Sequence, residues 1–174
     1  MTDQADIQTN TYLTFYLDQD LYGLNIQNVQ EVLEYTAITK VPRTAHFMRG
    51  VVNVRGHALP VVDLRRKFQL PEAEANVDTS IVITEVDIEG ETTTIGALVD
   101  GVEEVLEIPP EQIEDPPKLG SQIASRFIRG IGKLEERFVI ILDIQQVFSM
   151  QELTQIESSR GESAQPESET EASS

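Results

Sequence analysis

The sequence predicts an all-β protein with a minor α component: two small, pseudo-symmetric, five-stranded β-barrels followed by a C-terminal helix. Three observations predict it. The first is an internal repeat. FMRGVVNVRGHALPVVDLRRKF (47–68) aligns without gaps on FIRGIGKLEERFVIILDIQQVF (127–148), and GLNIQNVQEVLE (23–34) aligns on GALVDGVEEVLE (96–107) with six identities in twelve. The pairs occur in the same order, offset by 80 and 73 residues, which two chance matches would rarely do. The second is that each half breaks into about five short apolar runs punctuated by turn residues, the spacing of small barrels. The third is a change of period after Asp143, where Ile144, Val147, Phe148, Leu153 and Ile156 recur at helical intervals.

In chain order, TYLTFYL (11–17) alternates Leu13, Phe15 and Leu17 with Tyr12, Thr14 and Tyr16, a strand period. Asp18-Gln19-Asp20 turns it into a short strand around Leu21–Leu24. Asn25 then reads as the N-cap of a brief helix carrying Ile26, Val29, Val32 and Leu33 on one face. A strand over about 36–41 is stopped by Pro42. The Gly50–Val62 hairpin follows, with Val54-Arg55-Gly56-His57 at its tip, where Gly56 can supply the positive φ of a tight turn. PEAEANVD (71–78) reads as the linker. The second half repeats the pattern with SIVITEVDI, a turn at Glu89-Gly90, TTIGALV, and Asp100 capping a helical turn with Glu103 in the capping-box position. Its hairpin is Gly130–Leu142. The expected organisation is a domain over 11–156, made of a first barrel at about 11–70, a second at about 79–143 and a helix over 144–156, followed by an acidic tail over 157–174.

Composition narrows the function. The 174 residues carry 30 acids against 13 basic residues, a formal charge of −17, and 40% of them are hydrophobic. A polyphosphate backbone repels such a chain, so nucleic acid is not an expected partner. Glu157–Ser174 holds five Glu, one Arg and six Ser without a large apolar residue, a composition that buries no core and reads as disordered. Cysteine is absent, which excludes disulfides and thiolate metal sites. The polar, acidic MTDQADIQTN does not resemble a signal peptide. The longest apolar run, FVIIL at 138–142, is far short of a membrane span. The expectation is a soluble, cytoplasmic protein without direct membrane insertion.

No pattern supplies catalytic chemistry. His46 and His57 are the two histidines, and their spacing binds no zinc. Asp63 and Asp143 occupy the same repeat position, which points to one structural task performed twice, capping the turn of helix that follows, rather than to a carboxylate dyad. Phosphate loops, nucleophile elbows and Ser/His/Asp arrangements are missing from the sequence. No catalytic residue, cofactor or metal is expected.

Three features admit an interaction role beside a plain structural one. IPPEQIEDPP (108–117), with four prolines, is either a rigid surface loop or a preorganised contact. Ile26, Val29 and Val32, with Val99, Val102 and Val105, are core residues by default, although two related short helices could line a groove between lobes that takes a partner helix. Arg55 is either a turn residue that happens to be basic or a fork held out toward a carboxylate. Its repeat partner is Glu135, so the duplication itself does not demand arginine there.

The strings YGLNIQNVQEV, FMRGVVNVRGHALPVVDLRRKF, IGALVDGVEEVL and FIRGIGKLEERFVIILDI resemble the bacterial chemotaxis coupling proteins, the CheW family. The resemblance runs from about Tyr12 to Phe148. It rests on Val-Gln-Glu-Val, Gly-x-x-Asn-x-Arg-Gly and Pro-x-x-Asp-Leu blocks occurring together, in order and correctly spaced.

The resemblance implies SH3-like barrels and a non-catalytic adaptor. Such an adaptor joins the cytoplasmic tip of methyl-accepting chemoreceptors to the regulatory domain of a CheA-type histidine kinase, in clusters beneath the inner membrane. The family's receptor surface carries over onto Val29, Glu31, Gly50, Asn53, Val54, Arg55 and Gly56, with Val99 and Val102 across the groove. Its kinase contacts carry over onto Val41 and, at the Pro-rich loop, Glu114 and Leu119. Members often hold a basic and an aromatic residue where this chain has Glu114 and Leu119, so that interface is altered here. Rival readings are a coupler for pilus-based or gliding motility and a stand-alone SH3-like peptide-binding module.

Overall fold

The structure, a computed structural model, describes residues 10–116 and 127–148. Strands dominate: β1 Thr11–Leu17, β2 Asp20–Asn25, β3 Val29–Glu34, β4 Met48–Val54, β5 His57–Asp63, β6 Ser80–Ile88, β7 Glu91–Val99, β8 Gly101–Glu107, β9 Ile113–Glu114, β10 Ile128–Lys133 and β11 Phe138–Leu142. Two single-turn helices, α1 Leu64–Lys67 and α2 Ile144–Val147, follow β5 and β11. Asp63 and Asp143 cap them as expected: the Asp63 carboxylate accepts from the Arg65 and Arg66 amides, and Asp143 accepts from the Gln146 amide. The expected helix beyond Phe148, Leu119 and the tail lie outside the described residues.

The strands form a six-stranded sheet, β8-β1-β2-β11-β10-β9, and a five-stranded sheet, β3-β6-β7-β5-β4. The all-β class and the duplication hold, and the repeat extends to individual pairings. Val61 of β5 pairs in parallel with Gly96 of β7, and Ile141 of β11 pairs in parallel with Gly23 of β2. These are equivalent residues under the two sequence offsets. Val29↔Thr84 and Val102↔Phe15 form another equivalent pair, each beside a β-bulge.

The expected division into barrels of about 11–70 and 79–143 does not describe the sheets. β1 and β2 of the first half sit with β8–β11, while β6 and β7 of the second half sit with β3–β5. Each half lends its opening hairpin to the other half's barrel. Alternation along a strand shows which side chains face inward, but it carries no signal naming the strand that pairs.

The exchange gives strands two buried faces and the molecule three cores. Leu13, Phe15, Leu17, Tyr22 and Leu24 face Val82, Val86, Ile95 and Ala97 in a central cluster between the sheets. Tyr12, Leu21, Ile108, Val139 and Ile141 fill the barrel of the six-stranded sheet. Val52, Val61, Ile81, Ile83 and Leu98 fill the other. The central cluster carries an aromatic file, Phe15–Tyr22–Phe68–Phe127, with centroids 6.0, 6.2 and 5.9 Å apart. Burial pushes the Tyr22 phenol up to about 12, assisted by Asp20 and Asp18. Thr14 and Thr84 are buried on these faces, and their hydroxyls donate 2.7 Å bonds to the carbonyls of Glu104 and Ile95.

Three local expectations are corrected. The helix expected after Asn25 is a single 3-10 turn, Ile26–Asn28, capped by the Asn25 side chain, and Val29–Glu34 is a strand. The helical turn expected after Asp100 is strand β8. One cause serves both: the ladders slip by a residue at Val29/Glu31 and at Thr14/Phe15. Val29 thus packs on the central core and Leu33 on the barrel core. A bulge changes the face of the following residues, so the apolar spacing imitates a helical period. The strand expected over 36–41 is only a bridge, Thr39↔Val51, which covers the edge of β4. Arg43, at φ 61°, and Pro42 end any extension of it.

Candidate partner-binding site

The β4–β5 hairpin closes on Arg55 and Gly56 with φ of 51° and 86°. Positive φ at both central residues is the two-residue turn whose twist suits a hairpin. The side chain of Asn53 completes it, accepting the Gly56 amide at 2.8 Å. The bulge in β3 places Glu31 opposite this tip. Arg55 donates to both oxygens of Glu31, Nη1 to Oε2 and Nη2 to Oε1, each at 2.8 Å. The fork that the sequence left available to a partner is therefore already filled from within the chain. These bonds hold the Glu31 carboxyl below its ordinary value of 4.5, aided by the charge of Arg55.

The second barrel builds the same clasp from different residues. There Arg137, at the foot of β11, reaches Glu103, the bulged residue of β8, with Nη2–Oε2 at 2.7 Å and Nη1–Oε1 at 3.2 Å. Hydrogen bonds from Arg137 and then from Tyr16 keep the Glu103 carboxyl below 4.5. Sequence alignment of the halves pairs Arg55 with Glu135 and so hides this equivalence of function.

The structure divides the carried-over receptor residues into three groups. Glu31, Asn53, Arg55 and Gly56 form one cluster at the hairpin tip, with Val54 packed beneath on the barrel core. Val29 and Val102 pack against the central core, one from each sheet. Val102 also lines an open cleft of about 860 Å³ where the sheets meet, together with Tyr16, Asp18, Arg65, Asp78 and Asp100. The cleft is lined by β1, β8, α1 and the loops at 18–19 and 76–78, not by the two short helices expected there. Val99 is 1% exposed and presents nothing to a partner, so we remove it from the contact surface. Gly50 is buried at φ 143°, and a Cβ there would lie 2.2 Å from the Thr39 carbonyl oxygen; its place is structural.

Of the kinase-side residues, Val41 sits half-buried in the loop before β4, its carbonyl accepting from the Thr44 hydroxyl at 3.0 Å. Glu114 lies on β9 and pairs with Lys133 at 3.1 Å.

The sequence reading missed Arg65. Its guanidinium donates to Asp100 Oδ1 at 2.8 Å and Oδ2 at 2.7 Å, and lies 3.6 Å from Asp18. It ties α1, at the end of β5, to the β1–β2 turn of the opposite sheet. Its repeat partner Gln145 does the same in the other direction, exchanging bonds with the Asp87 backbone at 2.6 and 2.9 Å. The identical repeat positions of the two residues were the available signal.

Among the described residues no group of three or more His, Cys, Asp or Glu side chains could hold a metal ion, and no helix is long and apolar enough to cross a membrane.

Comparison with known proteins adds a family. The CheW-like domain profile matches residues 11–152. The chemotaxis protein CheW of Klebsiella aerogenes is 32% identical over 146 residues, covering 84% of this chain and 86% of the relative. CheW of Thermotoga maritima is 32% identical over 135 residues, covering 78% and 85%. The crystal structure of the scaffolding protein TtCheW from Thermoanaerobacter tengcongensis superposes with a TM-score of 0.73 at 34% identity, covering 83% of this chain and 90% of that one.

Proposed function

The chain belongs to the CheW-like family of chemotaxis scaffold proteins, and we propose that it couples chemoreceptors to a CheA-type histidine kinase, without catalysis of its own. The observation that carries this reading is the Glu31–Arg55 clasp on the family-matching hairpin. Two residues that the family resemblance carries over as receptor contacts meet there in a bidentate pair, with the Arg55 side chain 70% exposed. A planar pair fixed at both ends presents its remaining polar edges in one orientation, which lowers the ordering cost of docking.

In this reading the receptor tip lies against the clasp and Asn53, and Val29 and Val102 are further contacts at the edge of the central cluster. The kinase regulatory domain meets the Val41 loop and the segment that includes Glu114 and Leu119. The protein works in the cytoplasm, at receptor clusters. The test is reconstitution with a CheA-type kinase and a receptor cytoplasmic fragment. Receptor control of kinase autophosphorylation should require the chain, and all three should co-sediment. Kinase activity indifferent to the chain, with no co-sedimentation, overturns the proposal.

A further inference from the structure

Each barrel is completed by strands from the other half of the chain. β1 and β2, from the first half, lie between β8 and β11 of the second, and β6 and β7 lie between β3 and β5. Neither half can close its own barrel. The ladders that join the halves include Tyr12↔Leu106 and Tyr22↔Ile140 in one sheet, and Leu33↔Ile81 and Val62↔Ala97 in the other. Between the sheets the aromatic file passes from Phe68 of the first half to Phe127 of the second.

The covalent link between the halves is slight by comparison. Residues 71–78 are exposed throughout, and none of them belongs to any of the three cores. Their hydrogen bonds and ion pairs stay at the two ends. Arg65 donates to the Pro71 carbonyl and Arg66 lies 3.7 Å from Glu72, both within the first half. Asn76 and Asp78 bond to Thr79 and Ser80, where the second half begins. Ala73, Glu74 and Ala75 hold no hydrogen bond or ion pair among the described residues.

A half therefore recognises its complement by surface alone, and a second copy of the chain offers the same surface. We propose that two copies exchange halves. Residues 10–70 of one assemble with residues 79–148 of the other, and the reverse, as a dimer of two complete lobes joined by two linkers. Every ladder and the Arg65–Asp100 pair are kept, now between copies. Extended, the eight linker residues span at most about 28 Å, enough to cross between touching lobes. Only the tether favours the single chain, with an effective concentration on the order of millimolar. Glu31 and Arg55 both lie in the first half, so each lobe keeps a whole clasp and the dimer carries two.

The chain lacks cysteine, so introduced thiols report on the exchange without interference. Thr11 and Glu107 are ladder partners from different halves. A full chain with Thr11→Cys and one with Glu107→Cys are unfolded together in urea, refolded at about 1 mM and mildly oxidised. A disulfide joining the two chains is expected, at a yield about tenfold or more above that from refolding at about 10 µM. Mixing the already folded chains should give none, because exchange requires the central core to open. Asp87→Cys with Thr92→Cys, ladder partners inside one half, should give only background. The unmodified chain refolded at the higher concentration should elute as monomer and dimer, and that dimer should outlast dilution for hours. Monomer alone, equal disulfide yields from the two cysteine pairs, or a dimer that falls apart at once on dilution overturns the proposal.

Discussion

Arg55 and Glu31 face each other across the first barrel through two parallel 2.8 Å hydrogen bonds, although 24 residues separate them in sequence. The hairpin tip and the bulged edge strand are joined there by an ion pair between side chains. An arginine that looks outstretched in sequence is a fixed half of a platform.

The platform makes charge reversal informative. Arg55→Glu should leave the melting temperature nearly unchanged, since the side chain is 70% exposed, while receptor-dependent kinase control falls about fivefold or more. The exchange Glu31→Arg/Arg55→Glu rebuilds the clasp in reverse and should recover most of that control. A double variant no better than the single would show that a partner reads the individual charges, and the platform reading would fail.

The same pair sets a pH dependence. Arg55 lowers the Glu31 carboxyl below 4.5, so the clasp is complete above that value and is lost as pH falls through the depressed folded value. A carbon-13 titration of the Glu31 carboxylate should show a midpoint under 4.5, returning toward it in Arg55→Gln. A wild-type midpoint at or above 4.5 contradicts the bonded geometry.

Two glycines of positive φ, Gly50 within β4 and Gly56 at the hairpin tip, should differ sharply. Gly50→Ala forces a Cβ to 2.2 Å from the Thr39 carbonyl oxygen at φ 143°, and is expected to cost about 3 kcal/mol or more. Gly56→Ala meets no atom within 4 Å and should cost only the left-handed backbone penalty, about 1–2 kcal/mol. Urea unfolding of both variants gives the comparison, and equal losses would be evidence against the Thr39 contact.

Arg65 joins the two sheets. Its guanidinium is 14% exposed, between the carboxylates of Asp100 and Asp18. Arg65→Ala leaves those acids facing each other and should cost about 1–3 kcal/mol. Amide exchange should quicken at the β1–β2 turn before it does within either barrel core. Uniform loss of protection would mean that Arg65 supports the whole fold rather than the junction.

Removing residues 157–174 should shift the melting temperature by no more than about 2 °C, because the segment offers no large apolar side chain to bury. A larger drop would reveal apolar contacts.

The sequence by itself determined what depends on near neighbours. Asp63 and Asp143 cap turns of helix because a short carboxylate reaches amides two or three residues on. The Arg55-Gly56 and Glu89-Gly90 tips follow from local backbone preference. The duplication was legible because each half kept its own punctuation. Tertiary structure decided what depends on which strand lies beside which. Val61 meets Gly96, and Ile141 meets Gly23, because each half can bury both faces of its opening strands only by exchanging them with the other half. Once the sheets are exchanged, the bulges at Gln30 and Glu103 turn helix-like spacings into strand faces, and Glu31 rather than an outside carboxylate becomes the partner of Arg55. Pairing of this kind is a property of the assembled surfaces, and a one-dimensional pattern of apolar residues does not encode it.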